Sequence, residues 1–433
     1  MKITLLDALE GGELGAALRQ ALTSETLLAD HRLREERFAP CQGCFECWVK
    51  HPGTCKAKDA ANDVMRDAMA ADVLLWATRV RFGCWDPIAK VAFDKAVGVL
   101  SPFFRAIAGE THHAKRYARY PRMGVLAVLP KDAPPGEAET FRRLVARNAA
   151  NFHAGAPWVG FVGEGDPPEA VRAALAEGLD ALRRPRDETL PKVAAFAEDV
   201  RQGVPPKAGP RHVALWIGSA KPAGTSTSEA LAGALEARLV ERGWTSERVH
   251  ALRTTKLGHP RAPKLVDAAR RADLLVLASP VYIDCLPSLV LAGLGHLADA
   301  ALDPPPALLP IIQCGFPELE HTALALAVVR RAARALGAPW AGHLALGGAG
   351  AIQAEHLDQR GGRMHHQVDA LDQAAEALNA GRPLPIAASE RFATPLLGPR
   401  AYRAVGQVGW VVHALKEGAA LRLWDEPFAP EEP

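Results

Sequence analysis

The chain has 433 residues, 48% hydrophobic and 23% charged, with a formal net charge of +2. That length allows two or three domains with cores of their own, and the composition is that of a soluble globular protein. So small a net charge argues neither for nucleic acid nor for a membrane surface. No apolar run is long enough to cross a bilayer, and the first seven residues lack the apolar core of a signal peptide, so a cytoplasmic location is expected.

In chain order, apolar runs predict strands at about 2–7, 32–39, 72–80, 122–129 and 157–163, with helices at about 12–22, 60–70, 86–107 and 137–152. A turn at 183–187 precedes a helix of about 190–202, and Gly203-Val-Pro-Pro-Lys-Ala-Gly-Pro210 reads as a linker. A second set of strands follows at about 212–217, 246–251, 273–280, 307–313 and 340–346, with helices at about 227–242, 261–271, 287–300 and 320–336. Two more helices are expected at about 366–380 and 400–417, before a Pro- and Glu-rich end that frays from about 425. The segment from Ala71 to Cys84 aligns without gaps on that from Ala272 to Cys285, and Ala156-Pro-Trp158 echoes Ala338-Pro-Trp340. The chain thus reads as two copies of one α/β unit.

Alternating strands and helices imply parallel βαβ units with right-handed crossovers. The expected fold is α/β: two tandem flavodoxin-like doubly wound parallel five-stranded sheets plus C-terminal helices. The expected domains are 1–202, a linker 203–210, 211–395, and a C-terminal helix and tail 396–433.

The second copy opens with Gly218-Ser219-Ala220-Lys221-Pro222-Ala223-Gly224-Thr225-Ser226-Thr227-Ser228, between a strand and a helix. First-turn N–H groups lack intrahelical acceptors and the helix dipole is positive there, so such a loop suits an anion. It is neither a Walker A loop nor a GxGxxG turn. Its residues leave two readings open, a cradle for a terminal phosphate monoester or a polar loop with an ordinary Ser or Thr N-cap. The first copy's counterpart, Asp7 to Gly15, has glycines but no hydroxyl and no cation, and Asp7, Glu10 and Glu13 would repel a phosphate.

Four of the 7 cysteines fall in Cys41-x-x-Cys44-x-x-Cys47-x₇-Cys55. In a reducing compartment such crowding points to metal or redox chemistry rather than a disulfide framework. The spacing suits a compact cuboidal iron–sulfur cluster. Zinc on four thiolates, and free thiols or a redox disulfide, stay open as alternatives. Cys84 and Cys285 occupy equivalent places and suggest packing, and Cys314 reads as a small buried thiol. The pairs His112-His113 and His365-His366 read as surface residues, and Arg116 to Arg122 as a solvated basic loop, with contact to an anionic nicotinamide phosphate as the other reading.

The phosphate-type loop, then Ser279-Pro280-Val281-Tyr282, then Cys314-Gly315-Phe316 together resemble the NADPH-dependent FMN reductase families of the flavodoxin-like fold. The resemblance implies FMN, with Ser219, Lys221, Ser226 and Thr227 on its phosphate and Gly218 and Thr225 in the same loop. Ser279, Pro280, Val281 and Tyr282 would follow the ring edge, while Gly315 and Phe316, beside Cys314, would close the other side. The helix after Tyr282 lacks the Lys and the Asp-Arg pair often found in those families. Cys-x-Gly-Cys-Phe-x-Cys-Trp followed by Asp59 resembles the iron–sulfur flavoprotein branch, which implies a [4Fe-4S] cluster on Cys41, Cys44, Cys47 and Cys55.

The expected activity is FMN-dependent NAD(P)H oxidoreduction, from a small-molecule nicotinamide donor to a quinone-like, flavin or protein acceptor. The alternative is a non-catalytic flavin or iron–sulfur electron carrier, or a flavin-bound regulator. No residue stands out as a catalytic acid or base. By analogy with dimeric relatives, the halves would form an internal pseudo-dimer with Phe82 and Trp85 near the flavin, and a further homodimer is open. An electron-transfer protein is an expected partner, whereas nucleic acid and membrane are not.

Overall fold

The computed structural model describes residues 1–185, 211–259, 262–352, 357 and 362–429. The helix expected at 190–202 and the linker at 203–210 lie outside the described residues. Packing divides the chain into two compact units, Met1–Ala194 together with Arg403–Pro433, and Ala195–Tyr402.

The first unit runs β1 (Lys2–Asp7), α1 (Glu13–Ala21), β2 (Thr26–Arg32), a short α2 (Glu46–Val49), α3 (Ala61–Ala70), β3 (Val73–Arg81) and β4 (Cys84–Trp85). It continues α4 (Pro87–Lys95), β5 (Leu100–Ile107), β6 (Glu110–Lys115), β7 (Arg122–Leu129), α5 (Glu137–Asn151), β8 (Trp158–Gly163) and α6 (Pro168–Arg183). Its main sheet has the order β2-β1-β3-β7-β8, all parallel, with β4 turned back on β3. Apolar runs such as Leu5-Leu6, Leu75-Trp76-Ala77 and Val125 to Val128 are buried, as a parallel sheet covered on both faces requires.

Several expectations for this unit are corrected. The second strand is Thr26–Arg32, not 32–39, because pairing with β1 sets its register, from Lys2 opposite Thr26 to Asp7 opposite Arg32. It is an edge strand with mostly exposed side chains, Leu27 and Leu28 among them, so its short apolar run does not mark a buried strand. The helix expected over 86–107 ends at Lys95, and the antiparallel hairpin β5–β6 follows. Its turn, Ala108 and Gly109, has two left-handed residues (φ 50° and 91°), which suits the twist of a two-residue hairpin loop. Helix α6 was not read from the sequence. His112, Arg116, Tyr117 and Tyr120 are buried rather than at the surface. Trp85 is buried among Trp76, Phe93 and Phe141, and its Nε1 donates to Asn148 Oδ1 at 2.9 Å, so it is a core residue of its own unit.

The second unit runs β9 (His212–Ile217), α7 (Thr227–Val240), β10 (Thr245–His250), α8 (Ala251–Thr254), α9 (Pro263–Arg271), β11 (Leu274–Pro280) and α10 (Ser288–Asp299). It ends β12 (Ala307–Gln313), α11 (Glu320–Ala335), β13 (Leu344–Leu346), α12 (His365–Asn379) and α13 (Ile386–Phe392). The order β10-β9-β11-β12-β13 is again parallel throughout. In both units the order is 2-1-3-4-5, that of a flavodoxin-like doubly wound sheet. The last strand is shorter than expected, since Trp340 makes only an isolated bridge with Leu308.

Helix α14 (Pro399–Lys416) belongs to the first unit from Arg403 onward. Gln407 fixes it there, its Oε1 accepting the Phe104 N–H at 3.2 Å and its Nε2 donating to Phe104 O at 2.9 Å. The fraying expected from about 425 is not seen through 429, the last described residue: Phe428 is buried and its N–H donates to Tyr117 Oη at 3.3 Å. Among the described residues no helix is long and apolar enough to cross a membrane.

Candidate functional site

From β9 the chain moves outward to β10 and then returns to the other side of β9 as β11. Loops leaving β9 and β11 therefore diverge and open a crevice beyond their C-terminal ends. Gly218 begins the β9 loop while still donating its N–H to Ala278 O at 2.7 Å. A Cβ there would lie 2.7 Å from Val290 Cγ2 and 2.9 Å from Ser279 Oγ. Glycine is needed because the loop lies directly on β11 and α10.

The loop's hydroxyls mostly shape the loop itself. Ser219 Oγ accepts the Lys221 N–H at 3.2 Å, and Thr225 Oγ1 donates to Pro222 O at 2.7 Å. Ser226 is the N-cap of α7, accepting the Glu229 N–H at 3.2 Å. The next two N–H groups, of Thr227 and Ser228, are first-turn groups without intrahelical acceptors. Lys221 and Thr227 are half-buried, while Gly224 and Thr225 are exposed. Glu229 completes a capping box that reaches further than usual, its Oε2 accepting the Gly224 N–H at 2.5 Å. Arg248 Nη1, 3.6 Å from Glu229 Oε1, offsets its charge, and His250 Nε2 lies at the same distance from that oxygen.

The β11 loop passes beside it. Ser279 is fully buried and donates to Pro280 O at 2.9 Å, so it supports the loop rather than lining it. The Val281 N–H donates to Gln313 O at 2.8 Å, which ties this loop to β12. Tyr282 and Cys285 exchange backbone hydrogen bonds around Ile283 (φ 54°) and Asp284 (φ 59°), a two-residue turn with both centres left-handed. Positive φ is unusual for a β-branched residue, which makes Ile283 a strained position. Asp284 Oδ1 meets His321 Nδ1 at 2.7 Å. The β12 loop carries Cys314, whose thiol donates to Phe316 O at 3.1 Å, with Gly315 exposed and Phe316 half-buried at the rim. The Gly348 N–H donates to Phe316 O at 2.7 Å, and Gln313 Nε2 reaches Ser228 Oγ at 3.3 Å. The structure thus brings the three loops to one end of three adjacent strands. Glu229, Gln313, Asp284 and His321 were not singled out in the sequence, although Ser226-x-x-Glu229 is a legible capping box.

At the first unit's crevice its own side chains take these places. Asp7 Oδ1 accepts the Leu9 N–H at 2.8 Å, and Asp7 Oδ2 pairs with Arg19 Nη1 at 2.9 Å. Arg34 donates to Ala8 O at 2.7 Å and to Asp86 Oδ2 at 2.7 Å, bridging the loop after β1 to the N-cap of α4. An internal carboxylate thus takes a loop donor that an exogenous anion would need. The turn after β3 matches that of the second unit. Arg81 opposes Cys84 around Phe82 (φ 59°) and Gly83 (φ 70°), and Cys84 and Cys285 are both buried.

The cysteine loop lies between β2 and α3. Gly43 (φ 61°) and Phe45 (φ 60°) put left-handed turns between successive cysteines, so the backbone can wrap a compact centre. The Gly53 N–H donates to Cys47 O at 2.9 Å. Asn62 clamps Cys55 from both sides, accepting its N–H at 2.8 Å and donating to its carbonyl at 2.9 Å. Asp59 joins the ends of the loop, accepting the Ala39 and Ala61 N–H groups at 2.8 and 3.1 Å and pairing with Lys95 Nζ at 2.7 Å. All four cysteines are free. Burial pushes the Cys41 thiol up to about 12, with the Asp94 charge adding to it. Burial raises Cys47 too, reinforced by the charges of Cys41, Cys55 and Cys44. Phe45 stacks on Trp48 at 5.3 Å, and Trp410 meets Trp48 edge-on at 5.2 Å.

No protein-family model matches the chain. No curated protein matches it either. Among solved structures it is similar to an NAD(P)H:quinone oxidoreductase from Methanothermobacter marburgensis, at 18% identity and a TM-score of 0.29, over 40% of this chain and 96% of that one. It is also similar to an FMN-dependent NADH-azoreductase from Bacillus anthracis in complex with FMN, at 10% identity and a TM-score of 0.31, over 39% and 99% of the two chains. A flavodoxin from Streptococcus pneumonia TIGR4 is similar at 17% identity and a TM-score of 0.28, over 39% and 97%. At such identities and scores the comparisons add no argument of their own; each unit of the chain is flavodoxin-like by its strand order.

Proposed function

We propose that the second unit binds FMN and that the protein is an FMN-dependent NAD(P)H oxidoreductase. The observation that carries this is the β9 loop, with the open N-terminus of α7 at the point where the strand order reverses. Ser219 and Ser226 hold the loop's shape, and the Thr227 and Ser228 N–H groups with Lys221 supply donors and charge for a terminal phosphate. The Tyr282 turn and the Cys314–Phe316 loop form the walls in which a flat ring would lie. FMN, when bound, would accept hydride from a nicotinamide and pass electrons to a quinone-like, flavin or protein acceptor. This chain's residues would position the ring and exclude water from it.

Within the same proposal, Cys41, Cys44, Cys47 and Cys55 hold a [4Fe-4S] cluster. The donor set fits: four free thiols on one clamped loop, with a buried guanidinium nitrogen near Cys47 that has no acceptor among the described residues. One observation favours the alternative of an electron carrier. Helix α10 carries no Lys or Arg, so it offers no cation to a nicotinamide phosphate.

The test is the visible spectrum of anaerobically purified protein, followed by NAD(P)H consumption with a quinone. Flavin bands and turnover are expected, and Lys221→Ala with Ser226→Ala should strip the flavin. Full flavin content in that double variant would overturn the site assignment. Flavin without turnover would favour the carrier.

A further inference from the structure

Arg116 lies next to the cysteine loop with its side chain enclosed, only 7% of the residue being exposed. Its Nε donates to Gly98 O at 3.1 Å and Leu100 O at 3.3 Å. Its Nη1 donates to Leu423 O at 3.1 Å and Asp425 O at 2.7 Å, both in the strap that follows α14. The buried Nη2 has no acceptor among the described residues. Gly98, the first of these acceptors, is packed against the cysteines: a Cβ on it would lie 3.5 Å from Cys47 Cβ and 3.2 Å from Gly53 O. Arg116 and Cys47 are close enough for each to feel the other's charge.

All four acceptors of the guanidinium are neutral backbone carbonyls. A buried cation hydrogen-bonded to no anion is costly unless a negative charge arrives. Metal loading supplies one. The four thiols release four protons to solvent as four metal–sulfur bonds form. A dication on four thiolates, whether Zn²⁺ or [4Fe-4S]²⁺, then carries about two negative charges.

We propose that Arg116 is a positioning residue for a metal–thiolate centre, a guanidinium that compensates the centre's charge on the Cys47 side and is held there by the C-terminal strap. This rests on the reading that the cysteines hold metal, and it extends that reading to a residue outside the motif. Hydrogen bonds and positive charge beside a metal–sulfur centre stabilise its more negative, reduced form and slow ligand loss.

The full-length protein is reconstituted with iron and sulfide, and separately with Zn²⁺, as wild type, Arg116→Met and Arg116→Lys. Metal content, the rate of metal release to a chelator, the midpoint potential of the cluster and the melting temperature with and without metal are measured. Arg116→Met should release metal about tenfold faster or more. Its cluster potential should fall, and it should lose more stability loaded than metal-free. Arg116→Lys should recover part of the potential, because it restores charge without the planar fork. Equal release rates and potentials in wild type and Arg116→Met would overturn the role of Arg116 alone. Uptake of zinc but no cluster would overturn the iron–sulfur reading, leaving Arg116 to be decided by the zinc release rates. A wild type that takes up neither would overturn both.

Discussion

Glu229 reaches back from the first turn of α7 to accept the Gly224 N–H at 2.5 Å, so one donor of the anion loop is already held by a carboxylate. Two roles are combined there, an acceptor that shapes the loop and a charge that opposes phosphate. They separate by substitution. Glu229→Gln keeps an acceptor and drops the charge, so FMN affinity should be equal or higher, with stability within about 1 kcal/mol of wild type. Glu229→Ala removes both and should weaken FMN several-fold. Fluorescence titration and thermal melting decide it.

Gly218→Ala should be among the most damaging single-methyl changes in the second unit. The new Cβ would sit 2.7 Å from Val290 Cγ2 and 2.9 Å from Ser279 Oγ, inside a strand–helix contact. A loss of about 1–3 kcal/mol is expected, together with flavin loss, because the loop must lift off β11. Denaturant midpoints and bound flavin per chain are the measurements. Retention of both would mean the loop is free to shift.

Asp59 and Lys95 form a buried ion pair, with side chains 6% and 2% exposed. Asp59→Ala would strand the Lys95 ammonium and free two backbone N–H groups, so about 3–5 kcal/mol should be lost. Adding Lys95→Met should return part of it, which a double-mutant cycle by urea denaturation would show.

Gly53 is left-handed (φ 89°), and a Cβ on it would lie 2.4 Å from Pro427 Cγ. Gly53→Ala should therefore displace the C-terminal strap from the cysteine loop. Limited proteolysis should cut the variant near its C-terminus several-fold faster than wild type, with about 1–3 kcal/mol lost. Unchanged cleavage would show the strap to be held elsewhere.

Burial holds His113 down to about 3 and His153 down to about 4, against an ordinary value of 6.5. In the unfolded chain both take up protons below pH 6.5, while in the folded unit they do not. The unfolded state thus binds more protons, and stability falls as pH drops from about 6.5 towards 4, by at most about 1.4 kcal/mol per pH unit for each residue. The stability is fully present above pH 6.5. Thermal melts across this range should show the slope, and His153→Gln should flatten it.

The second unit was legible almost element by element, because its central strands are continuous apolar runs and its loops carry their chemistry in short local motifs. His212 to Thr227 is a strand, a loop and a helix start in one stretch, and Ser226 is the N-cap that its hydroxyl suggests. The first unit was less legible where long-range pairing decided the outcome. Strand β2 takes its register from β1, and its exposed side chains record nothing of that choice. Strand β5 lay inside the stretch expected as a helix over 86–107, and β6, Glu-Thr-His-His-Ala-Lys, carries no apolar run.

What the sequence determined by itself was local: two alternating α/β series, an anion-type loop in one and an acidic loop in its counterpart, and four cysteines on a tight spacing. Tertiary structure alone decided that Arg116 is buried, that residues near 425 return to cover the cysteine loop, and that Glu229 occupies a donor of the anion loop. The reason is physical. A side chain's helical or strand period is printed in its neighbours, whereas its burial and charge environment come from segments up to hundreds of residues away, as in the bond from Arg116 to Asp425.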